Sequence, residues 1–70
     1  MNKLPVNSSI IKSVGYDRAD WELEIEFVKG SVYRYKRICP DEVICMLFSD
    51  SIGSYFMRFI SKAYTYEKVR

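Results

Sequence analysis

Tyr33 and Tyr35 alternate with Val32, Arg34 and Lys36 in the stretch KGSVYRYKR, residues 29–37. Rings interleaved with cations suit a single-stranded nucleic acid, because the rings stack on bases and the cations hold phosphates. The same alternation also describes a half-buried strand. The two tyrosines are therefore read as a stacking platform, as the wall of a core, or as a pair with one ring half-exposed at a cleft. A second candidate lies at Ser51–Ser54, where a helix is expected to start. Free backbone N–H groups at Ile52, Gly53 and Ser54 beside the Ser51 hydroxyl would attract an anion. Gly53 would allow close approach, Arg58 and Lys62 run up one flank, and Tyr55 lies at the border. From residue 51 onward Arg58, Lys62, Lys68 and Arg70 stand against Glu67 alone. A capped helix with a solvated flank is the plainer reading of the same residues, and Gly53 then serves close helix packing.

Much chemistry is excluded. The chain has no histidine, which removes the usual general base, the common nucleophile pairs and the commonest metal ligand. Its 2 cysteines, Cys39 and Cys45, are too few for a structural zinc site and poorly placed for a bridge around a helix start. Both are expected as reduced thiols in a cytoplasmic protein. No catalytic residue, metal or cofactor is expected, and the chain is not read as an enzyme.

These residues must be positioned by a small fold. A chain of 70 residues makes one domain and buries only about 60% of its unfolded surface. With 49% hydrophobic and 16% aromatic residues, it is expected to fold rather than stay disordered. No apolar run approaches the ~18 residues of a membrane span, and residues 1–10 lack the apolar segment of a secretory leader. Residues 1–7 read as a flexible arm, 8–66 as the domain and 67–70 as a tail.

Strands are expected over 8–16, with a bulge or bend at Gly15, over 21–28 and over 31–38. In WELEIEFV, Trp21, Leu23, Ile25 and Phe27 share one face and Glu22, Glu24 and Glu26 the other. A three-residue loop, Val28–Gly30, with Gly30 left-handed, sets Ile25 opposite Tyr33 and Leu23 opposite Tyr35. The opposite face then pairs Glu24 with Arg34 and Glu22 with Lys36. That register makes both faces self-consistent, and a one-residue slip would invert every contact. The acidic and basic residues then form a solvated, charge-balanced face. Pro40 opens a helix with Asp41 and Glu42 in its first turn, and Val43, Ile44, Leu47 and Phe48 form its apolar stripe. A second helix, 52 to about 64, presents Ile52, Phe56, Phe59, Ile60 and Ala63. The fold class expected is α+β, a three-stranded antiparallel β-meander followed by two α-helices packed on one face.

In this order the residues resemble the KTSC domain, a small bacterial and phage module also found at the C-terminus of some lysyl-tRNA synthetases. The resemblance rests on Ser8-Ser9 with Ile11, Gly15-Tyr16-Asp17, the Leu23/Phe27/Gly30 spacing, Tyr33-Arg34-Tyr35, Pro40, and Ser51-x-Gly53-x-Tyr55-Phe56. Met57 stands where the family often has Asn, and Ser49 where it often has Ala. The resemblance implies a binding module, with RNA as the ligand suggested by the synthetase association. The expected ligand is RNA or another phosphate-bearing nucleotide, held by Ser51, Gly53, Ser54, Arg58 and Lys62, with Tyr33, Tyr35 or Tyr55 stacking. The alternatives are a protein-interaction module, such as a phage accessory protein binding a host protein through Met46, Met57 and Tyr64, or an oligomer that sequesters a small signalling nucleotide. A homo-oligomer fits all of these, because it would cover apolar surface that a small core leaves over.

Overall fold

The computed structural model describes residues 3–70. Its centre is the hairpin that the alternating pattern demands. Strand β3 (Glu22–Phe27) pairs antiparallel with β4 (Val32–Tyr35), with Leu23 opposite Tyr35, Glu24 opposite Arg34 and Ile25 opposite Tyr33. The loop is Val28–Gly30. Phe27 N donates to Ser31 O at 2.9 Å, Gly30 N donates to Phe27 O at 2.9 Å, and Gly30 holds φ +106°. This left-handed step suits glycine, and it fixes the expected register.

The sheet has five strands, not three, in the order β1-β2-β3-β4-β5 with each neighbour antiparallel. Of the arm expected over 1–7, residues 1 and 2 lie outside the described residues. Lys3–Pro5 forms β1, an edge strand on Ser13–Gly15, where a proline is tolerated because the edge needs no donor. The tail also pairs. Tyr66–Lys68 forms β5 on β4, and Val32 N donates to Arg70 O at 3.0 Å. Three-residue strands are too short to show a two-residue period, which is why both read as loose ends.

β2 covers Ile11–Asp17, and its bulge falls between Ile11 and Ser13 instead of at Gly15, which pairs in register with Glu24. The extra residue, Lys12, turns Ile11 and Val14 to the same face although they are three apart; both are buried. Asp17 Oδ1 accepts from Ala19 N at 2.9 Å and Asp20 N at 3.3 Å, closing the turn before β3. Trp21 completes that turn at φ +56° and is 44% exposed, so it does not join the inner row of Leu23 and Ile25. β4 ends at Tyr35, earlier than expected, because Arg37 is left-handed at φ +61°. The chain then brings Ile38 into the core, with Ile38 N donating to Trp21 O at 2.8 Å and its carbonyl accepting from the Tyr16 hydroxyl.

The helices cover one face of this sheet. α1 (Pro40–Leu47) buries Val43 and Met46, whereas Ile44, Leu47 and Phe48 of the expected stripe point outward, Phe48 at 85% exposure. An eight-residue helix rests on the core along a single narrow row, and the apolar residues beside that row stay outside. Met46, expected on the surface, is wholly buried. α2 starts at Ile52 but holds α geometry only to Tyr55; Phe56–Ile60 continues as a π-helix, with Ser61 N donating to Phe56 O at 2.9 Å. The widened turn directs Phe56 and Ile60 inward and leaves Phe59 and Ala63 exposed. Ile11, Val14, Leu23, Ile25, Tyr35, Ile38, Val43, Met46, Phe56 and Ile60 form one core. Among the described residues no helix is long and apolar enough to cross a membrane.

Candidate functional site

Tyr33 and Tyr35 part company. Tyr35 is buried against Phe56 in an edge contact, ring centroids 5.2 Å apart, while Tyr33 is half-buried with its ring edge-on to Phe27 at 5.7 Å. β5 adds Tyr66, 5.5 Å from the Tyr33 ring and 5.3 Å from the Tyr35 ring. These side chains, with Phe56 and Met57 from the second helix and Lys29 from the hairpin loop, line a cleft of about 630 Å³ between sheet and helices. Such a volume and lining suit a planar apolar ligand with a polar edge. Burial, with Tyr66 and Tyr33 beside it, pushes the Tyr35 hydroxyl up to about 12, so it remains a neutral donor across the ordinary pH range.

The residues expected at the helix start form a second, more polar groove of about 440 Å³. Asp50, Ser51, Gly53, Ser54 and Arg58 line it from the helical side, and Asn7, Ser8 and Ser9 from the β1–β2 loop. Ser51 is the N-cap, its Oγ accepting from Ser54 N at 3.2 Å. Gly53 is buried, and its close approach is to protein. A Cβ there would stand 2.9 Å from Ile10 Cγ1 and 3.0 Å from Ser8 Oγ. Ser8 Oγ is itself fixed, accepting from Ile10 N at 3.3 Å and Ile11 N at 3.2 Å. The two grooves share Ser9, Ile10 and Met57.

Tyr55 and Lys62 lie outside both grooves. The Tyr55 hydroxyl donates to Glu42 of α1, and Tyr64 donates to the same carboxylate at 3.2 Å. That bond to Glu42 pushes the Tyr55 hydroxyl up to about 12. Tyr64, expected on an exposed patch, is half-buried by the same contact.

Charge on the opposite sheet face is already matched, and part of it is buried. Glu24, expected on a solvated face, is 7% exposed between Lys3 at 3.1 Å and Arg34 at 2.9 Å. Burial alone pushes its carboxyl up, but hydrogen bonds from Arg34 and Lys3 overcome this and hold it below its ordinary value. Lys36 pairs with Glu22 at 2.9 Å and Glu67 at 3.2 Å, and Arg70 pairs with Glu26 at 3.1 Å. Among the described residues Lys29 and Arg58, one at each groove, make no ion pair. Sequence reasoning did not assign Phe27, Tyr66 or Lys29 to a site, and it placed Met57 only on the patch of the protein-interaction alternative.

A five-stranded antiparallel sheet covered on one face by two short helices, with an aromatic cleft at their junction, makes this a small α+β domain. The KTSC domain family model matches residues 7–64, and the chain belongs to that family. It is similar to a KTSC domain protein of Yersinia pestis whose crystal structure superposes with a TM-score of 0.92 at 30% identity, covering 99% of this chain and 97% of that one. An uncharacterized protein of Stutzerimonas stutzeri is 36% identical over 70 residues, 99% of each chain. A lysine–tRNA ligase of Nostoc punctiforme is 32% identical over 66 residues, which are 94% of this chain and 12% of the ligase.

Proposed function

We propose that this domain is a non-catalytic module that binds single-stranded RNA or a related phosphate-bearing nucleotide across the two joined grooves. The observation that carries the reading is their junction. Ser9, Ile10 and Met57 belong to both grooves, so an aromatic cleft able to take a base adjoins a polar groove bordered by Arg58. One base enters beside Tyr33 and Tyr66, and the adjoining phosphates meet Arg58 on one side and Lys29 on the other. Tyr35 and Phe56 form the cleft floor. The absence of histidine supports binding without catalysis. The match to part of a lysine–tRNA ligase supports RNA as the ligand class.

The chemistry sets the strength. One stacked base contributes about 1–3 kcal/mol. Two phosphate contacts give a log–log salt slope of about −1.4. Binding is therefore weak and salt-sensitive. Fluorescence anisotropy of a labelled single-stranded RNA, titrated with the protein at low and physiological salt, tests the proposal. A saturable signal that falls with salt and is lost in Arg58→Glu supports it. No binding at low salt, or binding untouched by Arg58→Glu and Lys29→Glu together, contradicts it.

A further inference from the structure

The floor of the aromatic cleft holds a polar group that the fold leaves without a partner. Tyr35 is 4% exposed, and among the described residues its hydroxyl makes no hydrogen bond, whereas the Tyr16, Tyr55 and Tyr64 hydroxyls each donate to an oxygen of the protein. Among the described residues no wholly enclosed polar side-chain atom lacks a partner. The Tyr35 oxygen therefore keeps an opening, and the aromatic cleft is the cavity that Tyr35 lines. Phe56 and Tyr66, with ring centroids 5.2 and 5.3 Å from its own, hold the Tyr35 ring in place. Tyr66 is 55% exposed, so water satisfies its hydroxyl without a ligand. At Tyr35 the burial that keeps bulk water away also holds the proton, since the hydroxyl ionises only at about 12. A buried donor left unmatched is costly, so an occupant that accepts from it is favoured over one that does not.

The rest of the lining decides what the occupant must offer. Its polar side chains are serine and tyrosine hydroxyls and the Lys29 ammonium, and among the described residues no carboxylate or amide side chain joins them. An ammonium only donates, and a phenol donates more readily than it accepts, because its ring draws on the oxygen lone pair. The cleft thus favours acceptors. The orientation of the occupant rests on the RNA reading proposed above. The phosphates stay at the mouth with Arg58 and Lys29, so the base enters with the edge farthest from its sugar leading. That edge carries a carbonyl oxygen in uracil and guanine and an amino group in cytosine and adenine. We infer that Tyr35 is a specificity-determining residue, its hydroxyl donating to the leading carbonyl of the bound base, so that the cleft selects uracil and guanine over cytosine and adenine. An amino group in the same place sets a second donor against the Tyr35 proton and forces the hydroxyl into its weaker role as acceptor.

Fluorescence anisotropy of short labelled single-stranded RNAs that differ only in base, uridine against cytidine, titrated with the full chain at low salt, tests it. The two bases have rings of the same size and differ at the leading position. The uridine oligomer is expected to bind about 3- to 10-fold more tightly, the value of one neutral hydrogen bond. Tyr35→Phe keeps the ring and removes the donor, and it should bring that ratio to about one. Inosine against adenosine repeats the comparison in purines without any variant, and the carbonyl-bearing inosine should bind more tightly. Equal binding of uridine and cytidine, still lost in Arg58→Glu, overturns the inference and leaves the RNA reading in place. So does a uridine preference that persists in Tyr35→Phe while circular dichroism shows the fold intact. No binding of any oligomer at low salt overturns both.

Discussion

Replacing Gly53 by alanine sets two effects of known size against each other, and the sign of the result reports how the helix start is seated. Gly53 has no positive φ, so an alanine there fits the backbone and, on propensity alone, stabilises a helix interior by about 1 kcal/mol. The added methyl, however, would lie 2.9 Å from Ile10 Cγ1, 3.1 Å from Ile10 Cδ1 and 3.0 Å from Ser8 Oγ. Carbon atoms prefer roughly 3.5–4.0 Å, so the β1–β2 loop must retreat by about half an ångström or more. Ile10, partly exposed, can swing its outer methyl away. Ser8 cannot easily follow, because its Oγ caps the backbone N–H groups of Ile10 and Ile11. Overpacking of this kind costs about 1–3 kcal/mol. The balance is a net loss of about 1 kcal/mol, which lowers Tm by about 4–8 °C in a domain of this size. Thermal unfolding followed by circular dichroism at pH 7 reads it. A rise in Tm would refute the reasoning, because it would mean that propensity acts unopposed and the loop is not seated on Gly53.

Three other outcomes are expected. Tyr33→Ala weakens single-stranded RNA binding by about 5- to 150-fold, the value of one lost stack, while Tyr33→Phe keeps it; anisotropy titration of both variants checks this. Glu24 is held below its ordinary carboxyl value of 4.5, so its contribution to stability is present above pH 4.5 and is lost as pH falls through the lowered folded value. Glu24→Gln should flatten the dependence of Tm on pH below 4.5, as a series of melts would show. Tyr35 and Tyr55 ionise at about 12, above the ordinary 10, so an absorbance titration should show a late phase that loses amplitude in Tyr35→Phe and in Tyr55→Phe. Because both hydroxyls favour the neutral form in the fold, the corresponding stability is present below pH 10 and is lost as pH rises through 12.

The hairpin was legible because two faces had to agree at once. Only the three-residue loop gives Leu23 and Ile25 aromatic partners while giving Glu24 and Glu22 basic ones, and Gly30 supplies the left-handed residue that loop requires. The helices were less legible. Ile44, Leu47, Phe48 and Phe59 are as apolar as Val43, Met46 and Phe56, so composition could not say which row meets the sheet. The π turn at Phe56–Ile60 then altered the spacing that a regular helix would have had. Trp21 looked like the first member of the WELEIEFV inner row, but the Asp17 turn claimed it. The edge strands escaped notice because pairing of three residues leaves no pattern.

The candidate site was legible in part for related reasons. Tyr33 was recognisable as a boundary residue from its alternation with Arg34. Its cleft is completed by Tyr66, which only the β4–β5 pairing brings there, and by Met57, which the helical register turns outward. Ser51, Gly53, Ser54 and Arg58 do come together. Their neighbours Ser8 and Ile10 arrive from a loop more than 40 residues earlier in the chain, a juxtaposition no local pattern encodes.

The central claim is that ligand occupies the joined grooves and not the helical face. It is tested most directly by mapping backbone and methyl chemical shifts by NMR while a short single-stranded RNA is added at low salt. The account predicts progressive shifts at Ser9, Ile10, Lys29, Tyr33, Met57, Arg58 and Tyr66, with Ile44 and Phe48 unmoved. Shifts confined to the α1 face, or none at millimolar RNA, would contradict it.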